Sequence, residues 1–168
     1  MTQVLRPHDT AAGVLVWRGL IALTVIGILA AAFELATERH WHNSEQLIPW
    51  AALGVLAVAT VLGTIPRRRG VTAARVLAVL VLAASIYGVI THVVVNYDAG
   101  ALDQRYADAW DGLPMLQRWW YAGTRTVGPA PTLAPGVLGQ TATLLLLATL
   151  IGPRDPTGHP GSAGSQRR

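Results

Sequence analysis

GVLVWRGLIALTVIGILAAAF, residues 13–33, carries one charge in twenty-one residues, and the next thirteen, ELATERHWHNSEQ (34–46), hold Glu34, Glu38, Arg39, His40, His42 and Glu45. A helix needs about 20 apolar residues to cross roughly 30 Å of hydrocarbon. The first stretch therefore predicts a membrane span, and the second a polar segment where that span leaves the bilayer. Ionisable groups at the edge of hydrocarbon are costly to place and are candidates for function on that ground.

Three more stretches behave alike, giving expected spans at about 13–34, 47–65, 71–95 and 134–151. Backbone groups in lipid must be satisfied within their own segment, so each is read as a helix. The alternating strands of about 10 residues that a barrel requires do not appear. The fold expected is all-α and integral to the membrane: a four-transmembrane-helix bundle over 13–151, with a short N-terminal segment 1–12. Residues 152–168, rich in Gly, Pro, Ser and Arg, read as a disordered tail. Within the outer segment 96–133, residues 101–121 set Leu102, Tyr106, Trp110, Leu113 and Leu116 among Asp103, Arg105, Asp108, Asp111 and Arg118. That pattern predicts an amphipathic helix on the membrane surface, interrupted near Gly112 and Pro114. Gly128 to Gly136 contains Pro129, Pro131 and Pro135 and reads as an extended lead-in to the last span.

Composition agrees. Of 168 residues 52% are hydrophobic and 13% charged, with mean hydropathy +0.40; soluble domains carry about 25% charge. The absence of cysteine excludes disulfides, iron–sulfur clusters and thiolate sites. The net charge of +4 comes with thirteen arginines and no lysine. This excess follows the membrane and does not point to nucleic acid. Arg6, Arg18, Arg67, Arg68, Arg69, Arg75, Arg154, Arg167 and Arg168 fall on one side, and Arg39, Arg105, Arg118 and Arg125 on the other. The arginine-rich side is expected to be cytoplasmic, with both termini inside a bacterial plasma membrane. Trp41, Trp50, Trp110, Trp119 and Trp120 fall on the outer side, as interfacial anchors would. A competing expectation comes from Ala30-Ala31-Ala32, which has the form of a signal-peptidase site; cleavage there would remove the first span.

The third span meets His92, Asn96 and Asp98 at the face where the first meets its carboxylates and histidines. Glu34 and Glu38 share a helix face, as do His92 and Asn96. Counted from the inner ends, Glu34 and His92 lie at similar depth, about 31 Å up. They are expected to meet if the first and third spans pack together, with His40 and His42 folding back over them. Two kinds of chemistry suit these residues. Glu34, Glu38, His92 and Asn96 would serve as a polar lock between helices. Glu34, His40 and His92 would serve as ligands to zinc, copper, iron(II) or a haem-type cofactor, or as a proton relay. The spacing lacks His-x3-His or Glu-x2-His, and a lock weighs more heavily than a metal. Ser85, in mid-membrane, is expected to bond to its own helix. Gly27 with Ala31, Ala59 with Gly63, and Ala84 with Gly88 are spaced for close helix approach.

The pattern Glu34, His40, Gln46, Pro49, then His92 with Asn96, then Pro131-Thr132-Leu133-Ala134-Pro135-Gly136 resembles a family of small four-span bacterial membrane proteins. Asp98 stands where that family often has an acidic residue. Where the family ends in an aromatic-basic His-Pro tail, this chain reads Gly152-Pro153-Arg154-Asp155-Pro156. The resemblance implies four membrane helices and no particular activity. It sets Glu34, His40, His92 and Asn96 apart from the other polar residues. The function expected is a non-enzymatic accessory or interaction subunit, partnered by lipid and by a membrane protein or a second copy. The alternatives are a metal- or haem-binding, redox-associated protein, and a small transporter.

Overall fold

The computed structural model describes residues 11–152. The expected N-terminal and C-terminal segments, with Arg6, Arg154, Arg167 and Arg168, lie outside these residues, apart from their edges at 11–12 and 152. The fold is all-helical among the described residues: α1 (Ala11–Thr37), α2 (Ile48–Thr64), α3 (Arg68–Ala99), α4 (Met115–Gly123) and α5 (Ala134–Ile151), with single 3-10 turns at Glu45–Leu47, Gly100–Leu102 and Trp110–Gly112. α1, α2 together with the 3-10 turn before it (Glu45–Thr64), α3 and α5 are each long and apolar enough to cross a membrane. They correspond to the four expected spans. α3 overruns its expected length, because Thr91 to Ala99 contains no Gly or Pro to stop it; its 32 residues reach about 48 Å at 1.5 Å per residue.

The four long helices form a ring in which α1 touches α2 and α5, and α3 touches α2 and α5. α2 and α5 also meet across the ring, while α1 and α3 scarcely meet. The helices are apolar on all sides, so size rather than polarity marks what is inside. Ala31, Ala52, Ala59, Ala74, Ala78, Ala142 and Ala148 are buried around Leu56, Val81 and Leu145, whereas Leu15, Ile26, Leu29, Phe33 and Val61 are exposed. Small residues inward and large residues outward is the packing that membrane helices use. Polar threonines in these helices satisfy themselves: Thr24, Thr60 and Thr141 each donate to the carbonyl four residues back, on Leu20, Leu56 and Val137.

The glycines of the three expected small-residue pairs all sit at helix contacts. A Cβ on Gly27 would strike Thr141, one on Gly88 would come within 2.9 Å of Pro135, and one on Gly63 would lie 3.4 Å from Leu145. Ser85 does not bond to its own helix as expected. Its Oγ donates across to the Pro135 carbonyl at 2.5 Å, since that carbonyl lies in the first turn of α5, where α3 comes closest. Gly139 makes room for it; an added Cβ would stand 2.6 Å from Ser85 Oγ and 3.2 Å from its Cβ. We therefore expect Gly139→Leu to force α3 and α5 apart and cost about 1–3 kcal/mol, read as a lowered unfolding midpoint in detergent. An unchanged midpoint would show that the contact yields freely.

At one end of the bundle, the arginine end, Ile65 is extended because it precedes Pro66, and α2 turns into α3 over Arg67. Here Arg75 donates to Thr149 Oγ1 at 3.1 Å and to the Thr149 carbonyl at 2.7 Å, placing a cation on the C-terminal carbonyls of α5. The opposite, polar end is closed by residues 100–133. The amphipathic surface helix expected over 101–121 is not continuous: turns fill 104–109, and only Met115–Gly123 is α-helical. Trp110 is the reason. It is 3% exposed, packed edge-on to Tyr97 at 5.6 Å and seated against Gly100, where a Cβ would overlap its ring. An interfacial anchor was expected at this position, and a buried plug is found. α4 itself does expose Met115, Leu116 and Trp120.

A candidate binding cavity

α1 ends in a Schellman turn. The His40 amide donates to the Leu35 carbonyl at 2.9 Å and the Arg39 amide to Ala36 at 3.2 Å, with Arg39 at φ 52 in the left-handed position that usually takes glycine. The turn reverses the chain and swings His40 back over the bundle. The Trp50 indole nitrogen then donates to the His40 carbonyl at 2.8 Å, pinning the reversal to α2. The loop closes on itself. The Gln46 amide donates to Asn43 Oδ1 at 2.9 Å, and the His42 amide to Gln46 Oε1 at 2.7 Å. Asn43-Ser44-Glu45-Gln46 has capping-box spacing, a signal that would have marked both residues in advance.

On the other side, α3 is tied to the chain leading into α5. His92 Nδ1 pairs with the Pro131 carbonyl at 2.9 Å. Asn96 is fully buried; its amide donates to the carbonyls of Ala122 (3.1 Å) and Ala130 (2.9 Å), and its Oδ1 accepts from the Ala130 amide (2.8 Å). Gly128, at φ +78, lets the backbone pass against Asn96 where a Cβ would collide. Of the extended lead-in expected over Gly128–Gly136, residues 128–129 form a bend, 130–131 have no regular structure, 132–133 form a turn, and α5 has begun by Ala134. Farther out, Arg105 binds Asp103 at 2.7 Å and the Thr126 carbonyl at 2.6 Å. The guanidinium hydrogen-bonded to Asp103 holds its carboxyl below the ordinary aspartate range.

Between these two margins lies a cavity of about 340 Å³. Ala31, Leu35, Ala52, Ala84 and Leu138 give it an apolar floor, and Glu34, Glu38, His40, Glu45 and His92 bring its charged and titratable groups. The candidates divide as follows. Glu34, Glu38, His40 and His92 line this cavity, while His42 and Asn96 do not. No hydrogen bond joins Glu34 to His92; depth counting placed them at one height, and α5 stands between their helices. His92 and Asn96 do lock helices, but they lock α3 to residues 122–131 and not to α1. Among the described residues, no group of three or more His, Cys, Asp or Glu side chains is gathered as a metal site would need. Asn43, Tyr87 and the Pro131 carbonyl belong to the wall as well; a tyrosine among apolar helix residues and a carbonyl that every residue possesses gave no warning.

The chain matches no protein family, and neither the curated proteins nor the solved structures contain one similar to it.

Proposed function

We propose that this is a multi-pass protein of a bacterial plasma membrane, both termini cytoplasmic, that acts by binding and not by catalysis. It is an accessory or interaction component whose working surface is the cavity at the polar end. Membrane insertion is supported by the apolar side chains left uncovered along α1, Leu15, Ile26, Leu29 and Phe33 among them, a continuous stripe that a soluble monomer does not carry. Orientation is supported by Arg67, Arg68 and Arg69 at the end away from the cavity. The observation that carries the binding reading is the cavity, with an apolar floor and a few polar groups at its margin, the usual make-up of a small-ligand site. Of the hydroxyls in its wall on α3, Ser85 is committed to the Pro135 carbonyl and Thr91 to the Tyr87 carbonyl.

Because the chain has no cysteine, single introduced thiols report directly. In intact cells, Asn43→Cys is expected to react with a membrane-impermeant maleimide and Arg68→Cys only after permeabilisation; the reverse pattern overturns the orientation. Thr91→Cys, on the cavity wall, is expected to be protected from a small maleimide in proteoliposomes when an extract of the host membrane is added. Equal labelling with and without extract would count against a binding cavity.

A further inference from the structure

The cavity wall carries charge that no other side chain pairs with, half-buried at Glu34 and exposed at Glu38 and Glu45. Glu34, Glu38 and Glu45 contribute three carboxylates to its wall. None of them accepts a side-chain or backbone hydrogen bond or joins an ion pair, the one salt bridge among the described residues being Arg105–Asp103. The neighbouring cation, Arg39, is exposed and does not line the space. His92 adds a directional group. A carbonyl can only accept, so the bond to Pro131 fixes the proton of the neutral ring on Nδ1 and leaves Nε2 with a lone pair. The carboxylates and, in the neutral ring, His92 Nε2 are thus acceptors above an apolar floor of Ala31, Ala52, Ala84 and Leu138, in a wall that also holds His40 and Tyr87.

We propose that the cavity binds a protonated amine carrying an apolar chain. The ammonium N–H groups would bond to Glu34 and Glu38, one turn apart on α1, and the chain would lie along the alanine and leucine floor. Charge complementarity selects a cation, and the wall's acceptors select one with N–H donors over a quaternary ammonium. At about 340 Å³ the space is at the small end of ligand sites. It takes a free alkylamine whole, or the head and first carbons of an aminolipid. The inference rests on the binding reading above.

The test uses the full chain in nanodiscs of phosphatidylcholine and phosphatidylglycerol, which present no primary amine, with tryptophan fluorescence as the signal; Trp50 adjoins the loop that carries His40. Octylammonium is expected to bind saturably and at least tenfold more tightly than octanol, octanoate or octyltrimethylammonium. Glu34→Gln with Glu38→Gln is expected to remove at least tenfold of that affinity while melting like the parent. Ala84→Phe, which fills the space without touching a charge, is expected to abolish binding of octanol and octylammonium alike. Competition from added phosphatidylethanolamine supports the aminolipid as the source of the amine, and undiminished octylammonium binding supports a free amine. Octanol or the trimethyl compound binding as tightly as octylammonium, or the double glutamine variant binding like the parent, overturns the amine assignment and leaves the cavity a binding site. Saturable binding of none of the probes overturns both readings.

Discussion

Asn96→Ala is expected to lower the unfolding midpoint of the purified protein by about 6–12 °C. The asparagine makes three hydrogen bonds to backbone groups of Ala122 and Ala130 from a fully buried position. Removing it leaves the Ala130 carbonyl and amide without these partners and takes one of two donors from the Ala122 carbonyl, which keeps the Arg125 amide at 3.3 Å. Each such bond contributes about 1 kcal/mol net, so the loss is about 3 kcal/mol, and 1 kcal/mol moves the midpoint of a chain this size by about 2–4 °C. Asn96→Leu, close in volume, separates bonding from packing. If hydrogen bonds matter, leucine is as damaging as alanine and exchange of the Ala130 amide accelerates in both. Recovery of stability in the leucine variant would show that the site needs only to be filled.

Trp110→Ala is the second large effect, at about 3–5 kcal/mol for a buried tryptophan. Its ring is 3% exposed and fills the space above Gly100 and beside Tyr97. Emptying that space releases the turns at 104–109, so trypsin should cut after Arg105 much faster than in the parent. Gly100→Val should do the same by expelling the ring, and the two changes together should cost less than their sum, because each removes the same contact. Full additivity would mean that glycine and tryptophan act separately.

How much of this was legible follows from what kind of group does the work. The four long helices were readable because hydrophobicity is carried by side chains in an unbroken run. His92 and Asn96 stood out for the same reason, as polar groups where apolar ones are expected. Their partners did not, because Pro131, Ala122 and Ala130 act through carbonyls and an amide that every stretch of chain offers. Counting residues along a helix gives height but not angle around the bundle. Glu34 and His92 were expected to meet only if the first and third spans packed together, and the ring order sets those helices at opposite corners of one cavity. Trp110 illustrates the same limit: its amphipathic setting is local, and the glycine that accepts it is ten residues away.

The ring order also sets a schedule. α5 touches α1, α2 and α3, yet it is the last long helix to be made. It follows the end of α3 by 35 residues (Ala99 to Ala134), roughly 2–7 s of synthesis at 5–20 residues per second. Until then α1, which buries only Thr24 and Ala31 in the finished bundle, has α2 alone to hold it, and the Ala122, Ala130 and Pro131 carbonyls that Asn96 and His92 bind are made only shortly before α5. Formation of the early helices and maturation of the polar end are thus separate events in the life of each molecule. A ribosome halted before Ala134 would leave a nascent chain whose first three long helices are joined through α2 alone, a form that a quality-control protease could tell from the finished protein.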